Sequence, residues 1–516
     1  MQWMPCSFAA QTYLGNRPMR LLEELLAVFP VREVIGDRVQ IIERIVLDSR
    51  QAAARTLFVA RCGKEHDGLT FLRDAYDRGC RVVASDRVPS ALPSDCTFIL
   101  CDDLLGALAR WSHALYGNPT AQLAVYGVTG TNGKTTTTAL LAHLLSACGE
   151  PSGVIGTLGA RYGDEHQPTR HTTPEAPELA AMLAWMLSRG ATAVAMEVSS
   201  HALWWRRVEG TQFAGAIFTN LTQDHLDFHR TMENYARAKK RLFDMLPAGV
   251  PAVIFADNEW SQFMVADTQA TVLRVGRGYE ADVRIVAEQR SASGTQWRLE
   301  WDDGRRVEIS TPLVGGFNVE NASLALVLLA ARGYSLERLA EALRTAQAPP
   351  GRMEQIALPT GAHAVVDYAH TPDALERVLQ QCRAMMEPTA RLFCIFGCGG
   401  ERDRAKRPLM GAIAARYADY AIITNDNPRR ENPAQIAADI RAGIELVPAE
   451  KRRATFIEEL DRRSAIALAV GMASAGDWIV VAGKGHEEYQ HVGDERFPFS
   501  DRQVLWEQAA ATVSNS

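Results

Sequence analysis

The sequence predicts an α/β protein of three domains, and three observations carry that prediction. The chain has 516 residues, more than one hydrophobic core can serve. Short apolar runs recur along it and end in polar clusters, the pattern of parallel strands buried on both faces with chemistry beyond their carboxyl ends. One such run, Leu123-Ala124-Val125-Tyr126, passes through a glycine-rich loop into a helical pattern. That pattern has Leu140, Leu141, Leu144 and Leu145 on one side and stops at Gly149.

Turn signals divide the chain. The first block mixes helices with short strands such as Thr56-Leu57-Phe58-Val59-Ala60. Gly117-Asn118-Pro119-Thr120 precedes the loop strand, and Ala348-Pro349-Pro350-Gly351 closes the block that follows. The expected division is a mixed α/β domain at 1–107, a central P-loop domain with a parallel sheet at 108–350, and a Rossmann-like domain at 351–516. If Met19 is the start, 1–18 is a disordered extension.

Composition narrows the function. The chain is 47% hydrophobic and 22% charged, with a net charge of −6. That balance argues against nucleic acid or an anionic membrane as partner, so an anionic substrate must be held by local arginines. No apolar stretch approaches the roughly 20 residues needed to span a bilayer, and the start lacks a signal-peptide pattern. The nine cysteines are scattered, and Cys394 and Cys398 are not followed by a second pair. The expected setting is a reducing cytoplasm, without structural zinc or a disulfide framework.

The loop reads Gly127-Val128-Thr129-Gly130-Thr131-Asn132-Gly133-Lys134-Thr135-Thr136. The general phosphate-loop pattern has glycine where this chain has Val128. Strand, glycine loop and helix N-terminus nevertheless aim backbone N–H groups at phosphate. In such a loop Lys134 reaches the β- and γ-phosphates and the Thr135 hydroxyl binds magnesium, which makes a nucleoside triphosphate the expected ligand. Glu197 ends the run Ala193-Val194-Ala195-Met196 and is the best carboxylate for that magnesium. His225 follows the next run, where a structural histidine is an equally good reading of the residue alone.

In the last block, apolar runs lead to Asp367-Tyr368-Ala369-His370-Thr371-Pro372-Asp373, to Arg402, to Asp426-Asn427-Pro428-Arg429 and to Gly483-Lys484-Gly485-His486-Glu487. Two guanidinium forks match carboxylates, and Asp426 and Glu487 could hold an ammonium, so this pocket suits a zwitterionic amino acid. Arg352, at the hinge, could reach nucleotide phosphates. The site is expected in a cleft between the central and C-terminal domains.

The loop, Met196-Glu197-Val198-Ser199-Ser200-His201, Asn220-Leu221-Thr222-Gln223-Asp224-His225-Leu226-Asp227, Asp367 to Asp373 and Asp426-Asn427-Pro428-Arg429 occur in this order. Together they resemble the Mur ligases over nearly the whole chain, and Val128 in the loop is usual for that family. The resemblance implies an ATP-dependent ligase of peptidoglycan precursor synthesis. ATP would phosphorylate the D-glutamate side chain of UDP-N-acetylmuramoyl-L-alanyl-D-glutamate, and the amine of meso-2,6-diaminopimelate would attack the acyl phosphate to give an amide.

The family's contacts carry over by position. ATP falls to Gly130, Thr131, Asn132, Gly133, Lys134, Thr135, Thr136, Asn321 and Arg352, with Lys134 also catalytic. Magnesium falls to Thr135, Glu197, His225 and Lys239, the last as a carbamate, with Lys240 as a neighbouring competitor for that role. The nucleotide-sugar substrate falls to Leu47, Ser49, Thr172, Thr173, Ser199 and Arg207, with Lys64-Glu65-His66 as a further contact loop. Trp205 stands where relatives often have glutamine and cannot replace an amide's paired donor and acceptor. Diaminopimelate falls to Arg402, Asp426, Asn427, Pro428, Arg429, Gly483 and Glu487; Arg429 would bind the carboxylate that L-lysine lacks. The alternatives left open are the same ligase using L-lysine, a folylpolyglutamate synthase-like ligase, and a nucleotide-gated binding module without ligase activity. Small molecules are the expected partners, and a monomer the expected working unit.

Overall fold

The computed structural model describes residues 18–63, 67–291 and 294–514. All but the last residue of the expected 1–18 extension, and the contact loop Lys64-Glu65-His66, lie outside the described residues. The N-terminal sheet runs in the order Glu33–Ile35, Thr97–Leu100, Val82–Ser85, Thr56–Val59, Arg44–Val46, antiparallel at the first pair and parallel beyond it. The helix Leu104–Leu115 crosses the expected division at 107/108, and its Leu104, Leu108, Trp111 and Leu115 all pack in the N-terminal core. Asp103 caps this helix by accepting from the Gly106 N–H. The chain leaves the domain just after it, at Gly117 and Asn118, which have φ of 75° and 54°.

The central sheet has 11 strands. Its parallel middle sets Ser152–Gly156, Ala193–Glu197, Ala124–Thr129, Phe213–Phe218, Pro251–Phe255 and Thr271–Gly276 side by side. These strands are short and apolar because helices cover both faces. The loop helix Lys134–Ala147 buries Leu140, Leu141, Leu144 and Leu145 together with the helix Gly316–Ala331 on one face; Ala176–Ser188 packs on the other. Both ends of the sheet depart from the expected parallel plan. A hairpin, Gly159–Tyr162 with Glu165–Gln167, extends one edge, and an antiparallel meander of Val283–Ser291, Gly294–Trp301 and Arg306–Thr311 extends the other. The meander alternates buried and open positions, as strands with one solvated face do.

The C-terminal sheet runs Glu354–Ala357, His363–Asp367, Trp478–Ala482, Leu392–Phe396, Tyr420–Ile423, Thr455–Glu458, with only the first strand antiparallel. Helices such as Pro372–Met385 and Lys406–Tyr417 bury one face, and Arg462–Met472 the other. Among the described residues no helix is long and apolar enough to cross a membrane.

Candidate active site at the domain cleft

Three adjacent parallel strands build the nucleotide side. The loop strand lies between the strand that ends in Glu197 and the strand that leads to Thr219 and Asn220, with Val128 in register with both Glu197 and Ile217. Val128 is therefore part of the ladder, fully buried in the core, and not part of the turn. That is why a glycine is not needed there. The turn itself starts at Gly130 and ends at Gly133, which has a φ of 85°. A Cβ on Gly130 would collide with the Thr219 hydroxyl, and one on Gly133 with the Asn321 carboxamide. Asn220 holds the loop by accepting from the Thr131 N–H at 2.8 Å and, through its side chain, from the Asn132 N–H at 3.0 Å.

Two lysines converge on one carbonyl. Lys134 Nζ donates to Gly130 O at 2.9 Å, and Lys239 Nζ donates to the same oxygen at 2.7 Å. Lys239 is only 1% exposed. Burial, with Lys134 alongside, holds its ammonium form well below the usual lysine range. Its neighbour Lys240 faces the other way, donating to Asp244 at 2.5 Å and pairing with Asp267 at 2.7 Å. The two candidates are thus separated by geometry: only Lys239 reaches the loop.

Glu197 is 1% exposed, and its carboxylate accepts from the Thr157 N–H at 2.9 Å and hydroxyl at 3.2 Å. Thr157 directly follows the strand Ser152–Gly156, but nothing in its local sequence marks it as the partner of Glu197, 40 positions away. His225 adopts a left-handed φ of 54°, a strained conformation for a non-glycine residue. Asp224 pairs with its imidazole at 3.3 Å, and the His201 ring meets it edge-on at 4.8 Å. Asn321 accepts from the Thr137 hydroxyl at 3.2 Å. Arg352 donates to the Thr135 hydroxyl at 3.0 Å while stacking over Tyr368 at 4.6 Å. The hinge arginine and the loop threonine, 217 positions apart, are therefore in direct contact.

Most of these residues line one cleft, which contains about 1230 Å³ of empty space open to solvent, while Lys239 lies buried beneath the loop and does not line it. Thr131, Asn132, Gly133, Lys134, Thr135, Thr136, Thr172, Glu197, His225, Asn321 and Arg352 line it, with Tyr368 and His370 from the C-terminal domain opposite. Asn132 Nδ2 bridges to Asp373 at 2.9 Å across it. Thr173 and Ser199 lie behind, joined by the Ser199 N–H donating to Thr173 Oγ1 at 3.0 Å. Arg207 donates to Thr173 O at 3.1 Å and pairs with Glu175 at 2.7 Å. Arg61 of the N-terminal domain reaches the same Glu175 at 3.1 Å and lies over the Trp205 ring at 5.4 Å. Trp205 thus offers a stacking face where relatives often have an amide, and Arg61 is a neighbour that no motif marks. Leu47 and Ser49 sit apart from the cleft in the N-terminal domain, Ser49 buried and Leu47 half-buried.

The remaining candidates gather at the carboxyl ends of the C-terminal strands. Arg429 has a φ of 52°, and a hairpin pins its backbone: its N–H donates to His491 O at 3.0 Å and its carbonyl accepts from Gly493 at 2.8 Å. Its guanidinium donates to Gly400 O at 2.8 Å. Gly399 lies between Arg429 and Arg402, where a Cβ would sit 3.0 Å from the Arg429 guanidinium and 3.6 Å from Arg402. A Cβ on Gly483 would meet the Asp426 carboxylate at 2.6 Å. Burial raises the Asp426 pKa, while Lys484 and Arg462 pull it down. Asn427 Nδ2 donates to Glu487 at 2.8 Å. Arg402, Asp426, Asn427, Pro428, Arg429, Gly483 and Glu487 thus share one end of one sheet.

The loop around Arg402 is clamped from below. Arg407, fully buried, pairs with Glu431 at 2.8 Å and Asp439 at 2.9 Å, and Glu431 also accepts from the Glu401 N–H at 3.0 Å. Arg407 holds the Glu431 carboxyl down at about 2.

Comparison with known proteins identifies the family of the chain. Residues 128–329 match the Mur ligase middle domain, and 351–485 match the Mur ligase glutamate ligase domain. The UDP-N-acetylmuramoyl-L-alanyl-D-glutamate--2,6-diaminopimelate ligase of Caldanaerobacter subterraneus subsp. tengcongensis is 39% identical over 95% of this chain and 98% of its own. The protein of the same name from Geobacillus kaustophilus is 41% identical over 89% of this chain and 93% of its own. A solved structure of a ligase of that name superposes with a TM-score of 0.68 at 33% identity, covering 95% of this chain and 99% of the other. On domain matches, near-full-length similarity and fold together, the chain belongs to the Mur ligase family.

Proposed function

We propose that this protein is an ATP-dependent amide ligase that adds meso-2,6-diaminopimelate to the D-glutamate of UDP-N-acetylmuramoyl-L-alanyl-D-glutamate. One observation carries the reading beyond the similarity: a phosphate loop with buried Glu197 and Lys239 shares a cleft with a domain that gathers Arg402, Arg429, Asp426 and Glu487 at one sheet end.

A carboxylate is a poor electrophile, and transfer of the γ-phosphoryl group to it creates a leaving group. The loop N–H groups and Lys134 would hold the β- and γ-phosphates, with Asn321 and Arg352 closing over the nucleotide. The donor set fits magnesium: a hydroxyl at Thr135, a buried carboxylate oriented by Thr157 at Glu197, and His225 beside Asp224. Lys239 fits a carbamate, because burial favours the neutral amine that adds carbon dioxide and loses a proton. Thr135, Glu197, His225 and carbamylated Lys239 would hold the magnesium, which neutralises phosphate charge when bound. Leu47, Ser49, Thr172, Thr173, Ser199, Trp205 and Arg207 would position the nucleotide-sugar peptide. Arg402 and Arg429 would take the carboxylates of the incoming amino acid, leaving its free amine to attack the acyl phosphate and expel phosphate. We place the reaction in the cytoplasm, with a single chain as the working unit.

The test is phosphate release with ATP, the nucleotide dipeptide and each amino acid in turn. Diaminopimelate is expected to support turnover and L-lysine to do so poorly. Preference for lysine would overturn the substrate assignment, and ATP binding without ADP formation under any combination would overturn the ligase reading.

A further inference from the structure

The amino-acid pocket contains a buried cation that the expected contact set leaves out. The Lys484 side chain is 0% exposed. Its Nζ donates to Asn427 Oδ1 at 3.0 Å and to Glu487 Oε2 at 3.0 Å. Asn427 Nδ2 donates to that same glutamate oxygen, and the His491 N–H donates to Asn427 Oδ1 at 2.9 Å. One ammonium therefore grips two of the residues proposed to contact the amino acid.

Its charge matters as much as its position. Among the groups facing Arg429 are Arg402, Asp426, Glu487 and Tyr489; at the rim, Arg496 over the Tyr489 ring at 4.5 Å and Glu401 near His491 contribute one charge of each sign. Nearby, Arg462 and Asp501 close on each other at 2.7 Å, both fully buried, and so add no net charge. Lys406 is turned toward the nucleotide side, donating to His370 O at 2.7 Å. The pocket then holds three cations, Arg402, Arg429 and Lys484, against two carboxylates, Asp426 and Glu487. One positive charge is in excess, and it depends on Lys484, whose ammonium offsets Glu487.

Diaminopimelate with its attacking amine neutral carries two carboxylates and one ammonium, an excess of one negative charge. L-lysine in the same state carries one of each. In a partly desolvated cleft a unit mismatch discriminates strongly, because an unpaired charge opposes binding more than a paired one favours it. We propose, on the reading that this pocket takes diaminopimelate, that Lys484 is a specificity-determining residue. Its buried ammonium, tied to Asn427 and Glu487, sets a net positive pocket that selects an amino acid with two carboxylates over one with a single carboxylate.

The test compares the kcat/KM ratio of meso-diaminopimelate to L-lysine in wild type, Lys484→Met, Glu487→Gln and the double variant. Where lysine turnover is too slow, its inhibition constant against diaminopimelate takes its place. Lys484→Met is expected to lower the ratio about tenfold or more while the KM for ATP stays within about twofold. The double variant restores one excess positive charge, and its ratio is expected to return to within about threefold of wild type. Glu487→Gln alone is expected not to lower it. An unchanged ratio in Lys484→Met, no recovery in the double variant, or a fall in Glu487→Gln would each overturn the inference. If Lys484→Met does not fold by circular dichroism, Glu487→Gln and the double variant decide. If wild type releases no phosphate with either amino acid, the functional reading fails first; if it prefers diaminopimelate whatever stands at 484, only this inference falls.

Discussion

The nucleotide cradle and the amino-acid pocket sit at equivalent places, each beyond the carboxyl ends of a parallel sheet, yet they are built from different material. The cradle is backbone: Gly130 and Gly133 make room for a tight turn, and Asn220 holds it by its N–H groups. The pocket is side chains: arginines, acids and a buried lysine locked by ion pairs, with Arg429 in a left-handed backbone conformation pinned to a hairpin. Phosphate is the same in every nucleotide, so main-chain N–H groups suffice. An amino acid is told apart by the number and placement of its charges, which only side chains can match.

The largest expected effect tests the cradle. Lys239→Ala should lower turnover by roughly a thousandfold, the scale of losing a preorganised charge at a phosphoryl-transfer site. Circular dichroism should stay native. Rates like wild type would mean the second lysine at the loop is structural, and the cradle would then be a backbone device alone.

Next comes the pocket. Arg429→Ala removes one side of the expected charge pair, which costs about 2–5 kcal/mol and raises the KM for diaminopimelate roughly thirtyfold or more. The KM for ATP should move by no more than about twofold. Equal losses for both ligands would erase the distinction between the two regions.

The smallest effect reaches the pocket's foundation. Glu431 is held at about 2, below the ordinary carboxyl value of 4.5, by Arg407. A depressed pKa stabilises the fold fully above 4.5 and loses that contribution as pH falls toward 2. Acid unfolding of the wild type should therefore steepen over that window. Glu431→Gln should flatten it and should lower stability at neutral pH. Identical acid profiles would show that the clamp under Arg402 contributes nothing.

Much of this was legible in the chain. The strands Leu392–Phe396 and Trp478–Ala482 coincide with their apolar runs, and the loop helix follows its leucines, because parallel strands and buried helices declare themselves by continuous apolar patterning. The sheet edges were not legible: the meander from Val283 to Thr311 alternates buried and open positions, but alternation along a strand does not say which sheet edge it joins. Arg61 and Thr157 each follow a strand, Thr56–Val59 and Ser152–Gly156, but were missed because their partners, Glu175 and Glu197, come from distant parts of the chain.

The sequence by itself determined the three α/β units, the phosphate loop and the family, since these rest on local order and residue identity. Only the tertiary structure decided which side chains meet. Consecutive helix residues point about 100° apart, so the run Lys239-Lys240 could not say which lysine faces the loop until the helix Met232–Asp244 was packed. Val128 became a ladder residue only through its register with Glu197 and Ile217. The charge balance of the pocket around Lys484 likewise exists only once three separate strand ends are brought to one place. Local patterning is read along the chain, but electrostatic balance depends on distances that folding alone creates.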